Sequence, residues 1–301
     1  MGEINNLEKV NEYCARFGQS ALHPLVSVMN LSETGRKSQR GIEALRFNFY
    51  AVFLKQGQNC ILRYGRKNYD YQDGTLVFIG PGQVVNIKAD GPNYKPSGYA
   101  LLFHPDLLLG TNLGRAISHH NFFSYDLSEA LHLSEKERHI VIDCFDKIAY
   151  ELSQGVDKHS KNLIVSNIEL FLNYCTRFYD RQFITRDTVN RGVIESFEAS
   201  LLSYIQSGKA KELGSPSVGY FAKEQHLSPN YFGDLIKKET GISAQEHIQA
   251  RLIEVAKKKI FDPDKSVSEI AYELGFKYPQ HFTRLFKKRV GYSPNEFRML
   301  H

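Results

Sequence analysis

The 301-residue sequence predicts an α+β protein: an N-terminal β-barrel or sandwich, then long helices, then an all-helical C-terminal domain. Three observations support this prediction. Between residues 20 and 110, short runs rich in β-branched and aromatic residues are separated by Gly, Pro, Asn and Asp. From about residue 128 the apolar residues recur at helical spacing. The final third contains two similar helical units in tandem.

The composition is that of a globular protein with its positive charge concentrated near the C-terminus. Hydrophobic residues make up 42% of the chain and charged residues 24%. Residues 186–301 hold 18 Lys and Arg against 14 Asp and Glu, a net charge of +4, which leaves +1 of the total +5 for residues 1–185. Such an excess is typical of a module that meets phosphates. The sequence shows neither a membrane span nor a secretory signal, so we expect a cytoplasmic protein.

The predicted strands occupy the N-terminal domain, assigned to residues 1–127. They come from the runs ALRFNFYAVFL, NCILRYG, TLVFIG, VVNIKA and GYALLFH. Turn residues follow each run at intervals of about eight to twelve residues, which favours a sandwich or barrel.

Two long amphipathic helices are predicted within residues 128–185. The apolar face of the first contains Val141, Cys144, Phe145, Ile148 and Leu152, and that of the second contains Ile164, Ile168, Phe171, Leu172 and Cys175. Ser134 and Glu137 predict a capping box before the first helix. These helices either cover the β-domain or pair with a second copy. The second of these uses predicts a homodimer. The polar stretch 180–192 has no clear apolar stripe and predicts a linker over 186–192.

Residues 193–301 contain an internal repeat. The stretch FAKEQHLSPNYFGDLIKKETGIS aligns with IAYELGFKYPQHFTRLFKKRVGYS, with one residue inserted in the second copy. In the second copy, Ser266 and Glu269 predict a capping box that opens a helix through Leu274. Gly275 supplies the positive φ that ends this helix, and Pro279 starts the next one at its first turn.

The second helix of each unit is predicted to have an apolar face and a polar face. The inward residues are Phe232, Leu235 and Ile236 in the first copy, and Phe282, Leu285 and Phe286 in the second. The outward residues are Asn230, Tyr231, Asp234 and Lys237, and in the second copy Gln280, Arg284 and Lys287 or Lys288. Two helices joined by a tight turn, with a polar and cationic outer face, predict a helix-turn-helix. Ser243 and Glu246 cap the helix that spaces the two units.

At these motifs the sequence resembles the AraC/XylS family of transcription regulators, over residues 193–301. The resemblance implies a cupin-like sensor in residues 1–127 and a helical dimerisation segment in residues 128–185. It also implies two recognition helices that enter successive major grooves of promoter DNA, about 10 bp apart. Its further implied partners are RNA polymerase and a small-molecule effector such as a sugar or other metabolite, and its implied role is that of an activator.

The resemblance implies roles for particular side chains. The implied base readers are Asn230, Tyr231 and Asp234 in the first unit, and Gln280, His281 and Arg284 in the second. Arg284 suits guanine and Gln280 suits adenine. Gly233 and Asp234 depart from the polar or basic readers usual in the family. The Asp234 carboxylate can accept a hydrogen bond from cytosine N4, but it repels phosphate. The implied phosphate contacts are Lys237, Lys238, Lys287 and Lys288.

The sequence predicts no catalytic site, metal or cofactor. The turn in DGTLVFIGPGQVVNI is similar to a cupin motif, but the metal-binding histidine expected near Val85 is missing. The scattered residues Cys14, Cys60, Cys144 and Cys175 predict reduced thiols. His104, His119 and His120 are the remaining candidates for chemistry. The adjacent pair does not indicate catalysis, because neighbouring residues of a strand face opposite sides and a pair in a loop is usually solvated. Two alternatives stay open: a regulator without an effector, whose barrel serves assembly, and a barrel enzyme that also binds DNA.

Overall fold

The computed structural model describes residues 4–33, 42–55, 61–64, 67–70, 74–88, 97–155, 157–185 and 187–300. The chain divides into two compact units, Met1–Ile184 and Thr185–His301. The first unit combines strands and helices, and the second contains helices but no strand among its described residues. The predicted order, strands followed by helices, is therefore confirmed.

The described strands of the N-terminal unit form two five-stranded sheets. The first sheet has the order β1 (Ile4–Leu7), β3 (Ile42–Phe47), β8 (Val84–Lys88), β5 (Ile61–Tyr64), β6 (Lys67–Asp70). The second has the order β10 (Leu131–His132), β7 (Thr75–Ile79), β4 (Tyr50–Lys55), β9 (Gly98–Phe103), β2 (Val26–Asn30). Only the β1–β3 pair is parallel among the described pairs. No pair of described strands joins the two sheets, so a closed, cupin-like barrel stays a prediction.

The run ALRFNFYAVFL forms two strands rather than one. The chain leaves β3 after Phe47, turns at Asn48 and Phe49, and enters the other sheet as β4. A second corner lies between β7 and β8, where Gly82 has a φ of +85° and its N–H donates to the Phe47 carbonyl at 2.6 Å. The two corners are thus hydrogen-bonded to each other, and alternate residues of β3 and β4 face a common core.

That core lies between the two sheets and is filled with aromatic side chains. The helix α1 (Val10–Ala15) contributes Tyr13, whose ring centroid lies 5.6 Å from that of Phe47 and 5.8 Å from that of Phe53. The other fully buried members include Leu45, Ala51, Val77, Ile79, Val85, Ala100 and Leu102. Both sheets contribute to this single cluster, which is how a two-layer β-domain buries its inner faces.

The same unit contains a short helix, α2 (Asn112–Ala116), and two long helices, α3 (Glu135–Ser153) and α4 (Ser160–Thr185). The ring of Phe78 in β7 lies 6.4 Å from that of Phe171 in α4, which in turn lies 5.1 Å from Phe145 in α3. The predicted apolar faces are confirmed, with Leu152 only half-buried. The predicted capping box is also present, since the Ser134 N–H donates to the Glu137 carboxylate at 2.8 Å. The helices therefore cover the second sheet, which is the first of their two predicted uses.

The C-terminal unit contains eight helices in its described residues. They are α5 (Asp187–Gln206), α6 (Lys209–Leu213), α7 (Val218–Glu224), α8 (Pro229–Thr240), α9 (Ala244–Lys259), α10 (Val267–Glu273), α11 (Pro279–Val290) and α12 (Pro294–Leu300). The first core is built on Phe197, which lies 5.2 Å from both Phe221 and Phe232. The second is built on Phe286, which lies 5.7 Å from Phe282 and 5.6 Å from Phe297. Each unit of the repeat thus has an aromatic core of its own.

The stretch 186–192, predicted as a linker, is helical in its described residues. Helix α4 continues to Thr185 and α5 begins at Asp187. Asn190 is 2% exposed, and its amide donates to the Glu239 carboxylate at 2.8 Å. At this position α5 packs through a buried, hydrogen-bonded polar residue where an apolar residue would be expected.

Candidate nucleic-acid interface

The two helix-turn-helix units use the same backbone hydrogen bonds at their turns. The Leu227 N–H donates to the Ala222 carbonyl at 2.9 Å, and the Phe276 N–H donates to the Ala271 carbonyl at 2.9 Å. The residue before each donor has a positive φ, +58° at His226 and +83° at Gly275. These are matching positions of the repeat, and the geometry is that of a helix ended by a left-handed residue.

Only the second turn requires glycine for reasons of space. A Cβ on Gly275 would lie 2.6 Å from the Ala210 carbonyl oxygen, and closer still to backbone atoms of Gly214 and Ser215. The His226 side chain is exposed. The segment 210–215 therefore packs directly on the second turn and fixes its residue type, while the first turn tolerates a side chain.

The second helices of the two units, α8 and α11, begin and end alike. Pro229 and Pro279 occupy the first turns, where a missing N–H leaves no donor unsatisfied. Gly241 and Gly291 end the helices, with φ values of +78° and +91°. Each helix is 12 residues long, so the two units present equivalent lengths of outer face.

The outer face of α11 brings together most of the residues predicted for the second unit. Phe282 and Phe286 are buried beneath the helix and Leu285 is half-buried. The predicted contact residues Gln280, His281, Arg284, Lys287 and Lys288 are all exposed. A shallow groove of about 440 Å³ runs along this face and is lined by four of them together with Thr283. His281 lies beside the groove, with its ring 5.5 Å from that of Tyr278.

The outer face of α8 is smaller than predicted. Asn230, Lys237 and Lys238 are exposed and Asp234 is half-buried. Tyr231 is 4% exposed, so its predicted outward orientation is wrong. Tyr231 precedes the buried Leu235 by four residues, and positions i and i+4 share one face of a helix.

The two outer faces differ in charge. Helix α11 carries Arg284, Lys287, Lys288 and Arg289 and contains no acidic residue. In α8 the two lysines are matched by Asp234 and Glu239. The sequence-based selection missed Arg289 and Thr283. The uninterrupted run Lys287–Arg289 is the signal that would have indicated the first. Arg289 also donates to the Gln249 side chain at 2.9 Å, which ties α11 to α9.

Helix α9 packs on both α8 and α11 and fixes their spacing. Its predicted capping box is present, with the Ser243 N–H donating to the Glu246 carboxylate at 2.9 Å. The Glu273 carboxylate of α10 accepts hydrogen bonds from Lys259, at the end of α9, and from Lys265, and these two bonds lower its pKa. Helices α8 and α11 are therefore both packed on one common helix.

Comparison with known proteins agrees with this geometry. Residues 221–299 match the model of a helix-turn-helix domain family. This match supports the resemblance of residues 193–301 to AraC-type helix-turn-helix domains. Over 94 residues it is 42% identical to the uncharacterized transcriptional regulatory protein YesN of Bacillus subtilis, and this match covers 30% of the chain and 26% of YesN.

One further relative is similar over most of the chain, and another has a named role. The uncharacterized HTH-type transcriptional regulator YijO of Escherichia coli is 26% identical over 226 residues, which cover 75% of this chain and 76% of that protein. The HTH-type transcriptional activator RhaS of Escherichia coli is 28% identical over 33% of this chain and 34% of RhaS. The chain thus spans only about a quarter of YesN and a third of RhaS.

The N-terminal unit carries the other candidate residues. The His104 Nδ1 accepts a hydrogen bond from the Asp106 N–H at 3.2 Å, which makes this histidine a cap of the short helix Pro105–Leu108. His120 lies 3.4 Å from the Thr176 hydroxyl, and burial lowers its pKa. Cys14, Cys144 and Cys175 are buried free thiols, and Cys60 lies outside the described residues. His119, next to His120, is exposed.

No cluster of three or more His, Cys, Asp or Glu side chains is arranged to hold a metal ion in the described part of the chain. No described helix combines the length and apolar character needed to cross a bilayer.

Proposed function

We propose that this chain is a sequence-specific DNA-binding transcription regulator, and an activator controlled by a small-molecule effector. The observation that carries the proposal is the outer face of α11. It places Gln280, Arg284 and two lysines along one groove, on the second helix of a helix-turn-helix. Such a helix lies in the major groove of DNA, where Arg and Gln read base edges and Lys contacts phosphates. The similarity to RhaS, a named activator, supports the direction of control.

The two units fit a single face of promoter DNA. Because α9 packs on both recognition helices, α8 and α11 are held at a fixed distance and enter successive major grooves, about 10 bp apart. In α11, Arg284 pairs with guanine, Gln280 pairs with adenine and His281 assists at the edge of the groove. In α8 the readers are Asn230 and Asp234. We assign no base contact to Tyr231, because its side chain is buried.

We propose that the N-terminal unit is a cupin-like sensor that forms a homodimer. The two packed five-stranded sheets support the sensor assignment. The exposed face of α4 supports the dimer, since Leu163 and Leu170 are 46% and 43% exposed and lie seven residues apart. A repeat of seven residues is the spacing of helix-pairing seams. The regulator would act in the cytoplasm and contact RNA polymerase when bound at a promoter.

One observation favours a second candidate, a regulator whose N-terminal unit serves assembly alone. Among the described residues between the sheets, the rings of Tyr13, Phe47 and Phe53 pack against one another as a core, which favours a structural role for this space. Ligand-induced thermal stabilisation would separate the two candidates. We propose no enzymatic activity, because His104 serves as a helix cap and YesN, YijO and RhaS are named as regulators.

Selection of genomic DNA tests the proposed function. Purified protein is mixed with sheared DNA from its source organism at a stated salt concentration, and the retained fragments are sequenced. We expect enrichment of sites with two half-elements about one helical turn apart. Retention that is diffuse and lost with added salt would show only electrostatic attraction and would contradict sequence-specific binding.

A further inference from the structure

A cleft of about 360 Å³ lies on the second sheet of the N-terminal unit, on the side away from the inter-sheet core. Tyr50 at the start of β4 forms one wall and the segment 105–117 forms the other. The Tyr50 ring stacks on Phe103 at 4.9 Å and meets Phe123 at 4.8 Å. The next residue, Ala51, belongs to the inter-sheet core, and adjacent strand residues face opposite sides. The cleft is therefore separate from the sheet interior.

The wall formed by the segment 105–117 is preorganised. Thr111 donates to the Leu108 carbonyl at 2.7 Å and accepts from the Gly114 N–H at 3.0 Å. Gly114 packs so closely on Leu108 that a Cβ there would overlap the carbonyl oxygen of Leu108. A cleft of this size with a rigid wall has the dimensions of sites for small organic ligands.

Two polar groups in the cleft are available to a ligand. Arg115 is exposed and donates to the Asn112 side-chain oxygen at 2.5 Å, and among the described residues no carboxylate pairs with it. The Tyr50 hydroxyl has no hydrogen-bond partner among those residues, and burial raises the pKa of Tyr50, so it stays a neutral donor. The remaining lining includes the apolar residues Leu109 and Ile117. The cleft thus offers one unneutralised cation and one O–H donor beside an apolar surface.

We infer that this cleft binds a small carboxylate with an apolar body, which Arg115 holds by its carboxylate and Tyr50 by a hydrogen bond. A guanidinium matches a carboxylate in geometry and charge. The inference rests on the proposed function, because it names the effector site and moves it from between the sheets to their outer side. The cleft is also connected to α4, since the Lys161 ammonium donates to the Leu109 carbonyl at 2.9 Å. Binding at the cleft is thereby linked to the helix that carries the proposed dimer face.

Matched ligands and matched variants test the inference on the full chain. Phenylacetate and its neutral analogue phenylacetamide are titrated separately, and binding is followed by ligand-observed NMR. We expect phenylacetate to bind at least about tenfold more tightly than phenylacetamide. Arg115→Gln should abolish that difference, while Arg177→Gln, at an exposed arginine of α4, should preserve it. Tyr50→Phe keeps the ring and should weaken the binding of both ligands.

Three results would overturn the inference. They are equal binding of the charged and neutral ligands, an unchanged preference in Arg115→Gln, and no binding of either phenylacetate or 4-methylpentanoate at tens of millimolar. The selection of genomic DNA is repeated with Arg115→Gln to keep the two proposals distinct. If Arg115→Gln still enriches specific sites but neither carboxylate binds the wild type, the cleft inference alone is wrong. If the wild type enriches no site, the proposed function is wrong whatever the cleft binds.

Discussion

The two helix-turn-helix units have the same backbone conformation at their turns and helix ends, but their outer faces differ in charge. Their turns have the same hydrogen bonds, and their recognition helices have the same length and the same glycine ends. Yet α11 carries four cations and no acid, whereas the charges of α8 cancel. Neutralised phosphates supply most of the non-specific affinity for DNA. On the proposed function, we expect the second unit to provide most of the electrostatic attraction and the first to contribute mainly to register and selectivity.

The largest expected effect comes from the turns. Gly275→Ala places a Cβ against the backbone of residues 210–215 and imposes a positive φ on alanine. Overpacking and backbone strain together should lower the free energy of unfolding of the C-terminal unit by about 2 to 4 kcal/mol. Chemical denaturation followed by circular dichroism measures this change.

The matching position in the first unit is the control. His226→Gly relieves the positive φ of a residue whose side chain is exposed, so stability should stay unchanged or rise by up to about 1 kcal/mol. Equal destabilisation by Gly275→Ala and His226→Ala would show that the two turns are under the same constraint, contrary to the packing described above.

The next effect concerns base reading. Arg284→Ala should cost about 1 to 3 kcal/mol at specific sites and relax the preference for one base pair. Binding titrations against a specific site and its single-base variants measure both. In the first unit, Asn230→Ala removes an equally exposed polar side chain and should have the smaller cost. If Arg284→Ala left both affinity and preference intact, the recognition face would lie elsewhere on the unit.

The lysine pairs at the ends of α8 and α11 test the difference in charge between the two helices. Replacing Lys287 and Lys288 by Gln should weaken binding to all sequences alike and reduce the slope of log affinity against log salt by about 2. The same change at Lys237 and Lys238 should reduce the slope less, because Asp234 and Glu239 already offset these charges. Binding isotherms at several salt concentrations give both slopes. Equal losses would mean that the two helices approach phosphates equally.

The two turns also show what the sequence can reveal. The ending of α10 was predictable because Gly275 is the residue type that a positive φ favours. The same conformation at His226 was not predictable, because histidine adopts a positive φ far less often than glycine does. Tyr231 was misplaced because it lies one residue from the outward Asn230 and four from the inward Leu235, and only packing decides between the faces. The corner at Asn48 and Phe49 lacks Gly and Pro, so β3 and β4 read as one run.

The outward position of the residues selected in the second unit was predictable, whereas their roles in DNA binding stay a prediction. Gln280, Arg284 and both lysines share one groove because their spacing matches the helical period. The cleft beside Tyr50 had no such signal. Its walls come from a strand and a segment more than fifty residues later, and only the folded sheet brings them together.

The smallest expected effect is a different response to acid. In the second unit, α10 and α12 begin with Ser and Glu pairs, where hydrogen bonds from the backbone and side chain of Ser266 and Ser293 lower the pKa of Glu269 and Glu296. A lowered pKa in the folded state means that the stabilisation is present above the unfolded pKa of about 4.3 and is lost as pH falls through the folded pKa. In the first unit, α7 and α8 begin with serines whose caps involve no carboxylate. The helix that follows this unit, α9, does begin with such a pair, Ser243 and Glu246.

Amide hydrogen exchange, measured as pH is lowered from about 6 to about 3 and corrected for its intrinsic rate, compares these helix starts directly. Protection at the starts of α10 and α12 should fall, while that at the starts of α7 and α8 should change less. Glu269→Gln keeps a side-chain acceptor without a titrating group, so it should remove the pH dependence at α10 and leave that at α12 in place. A parallel loss of protection at all four helix starts would indicate that acid unfolds the domain as a whole. The capping carboxylates would then not distinguish the second unit from the first.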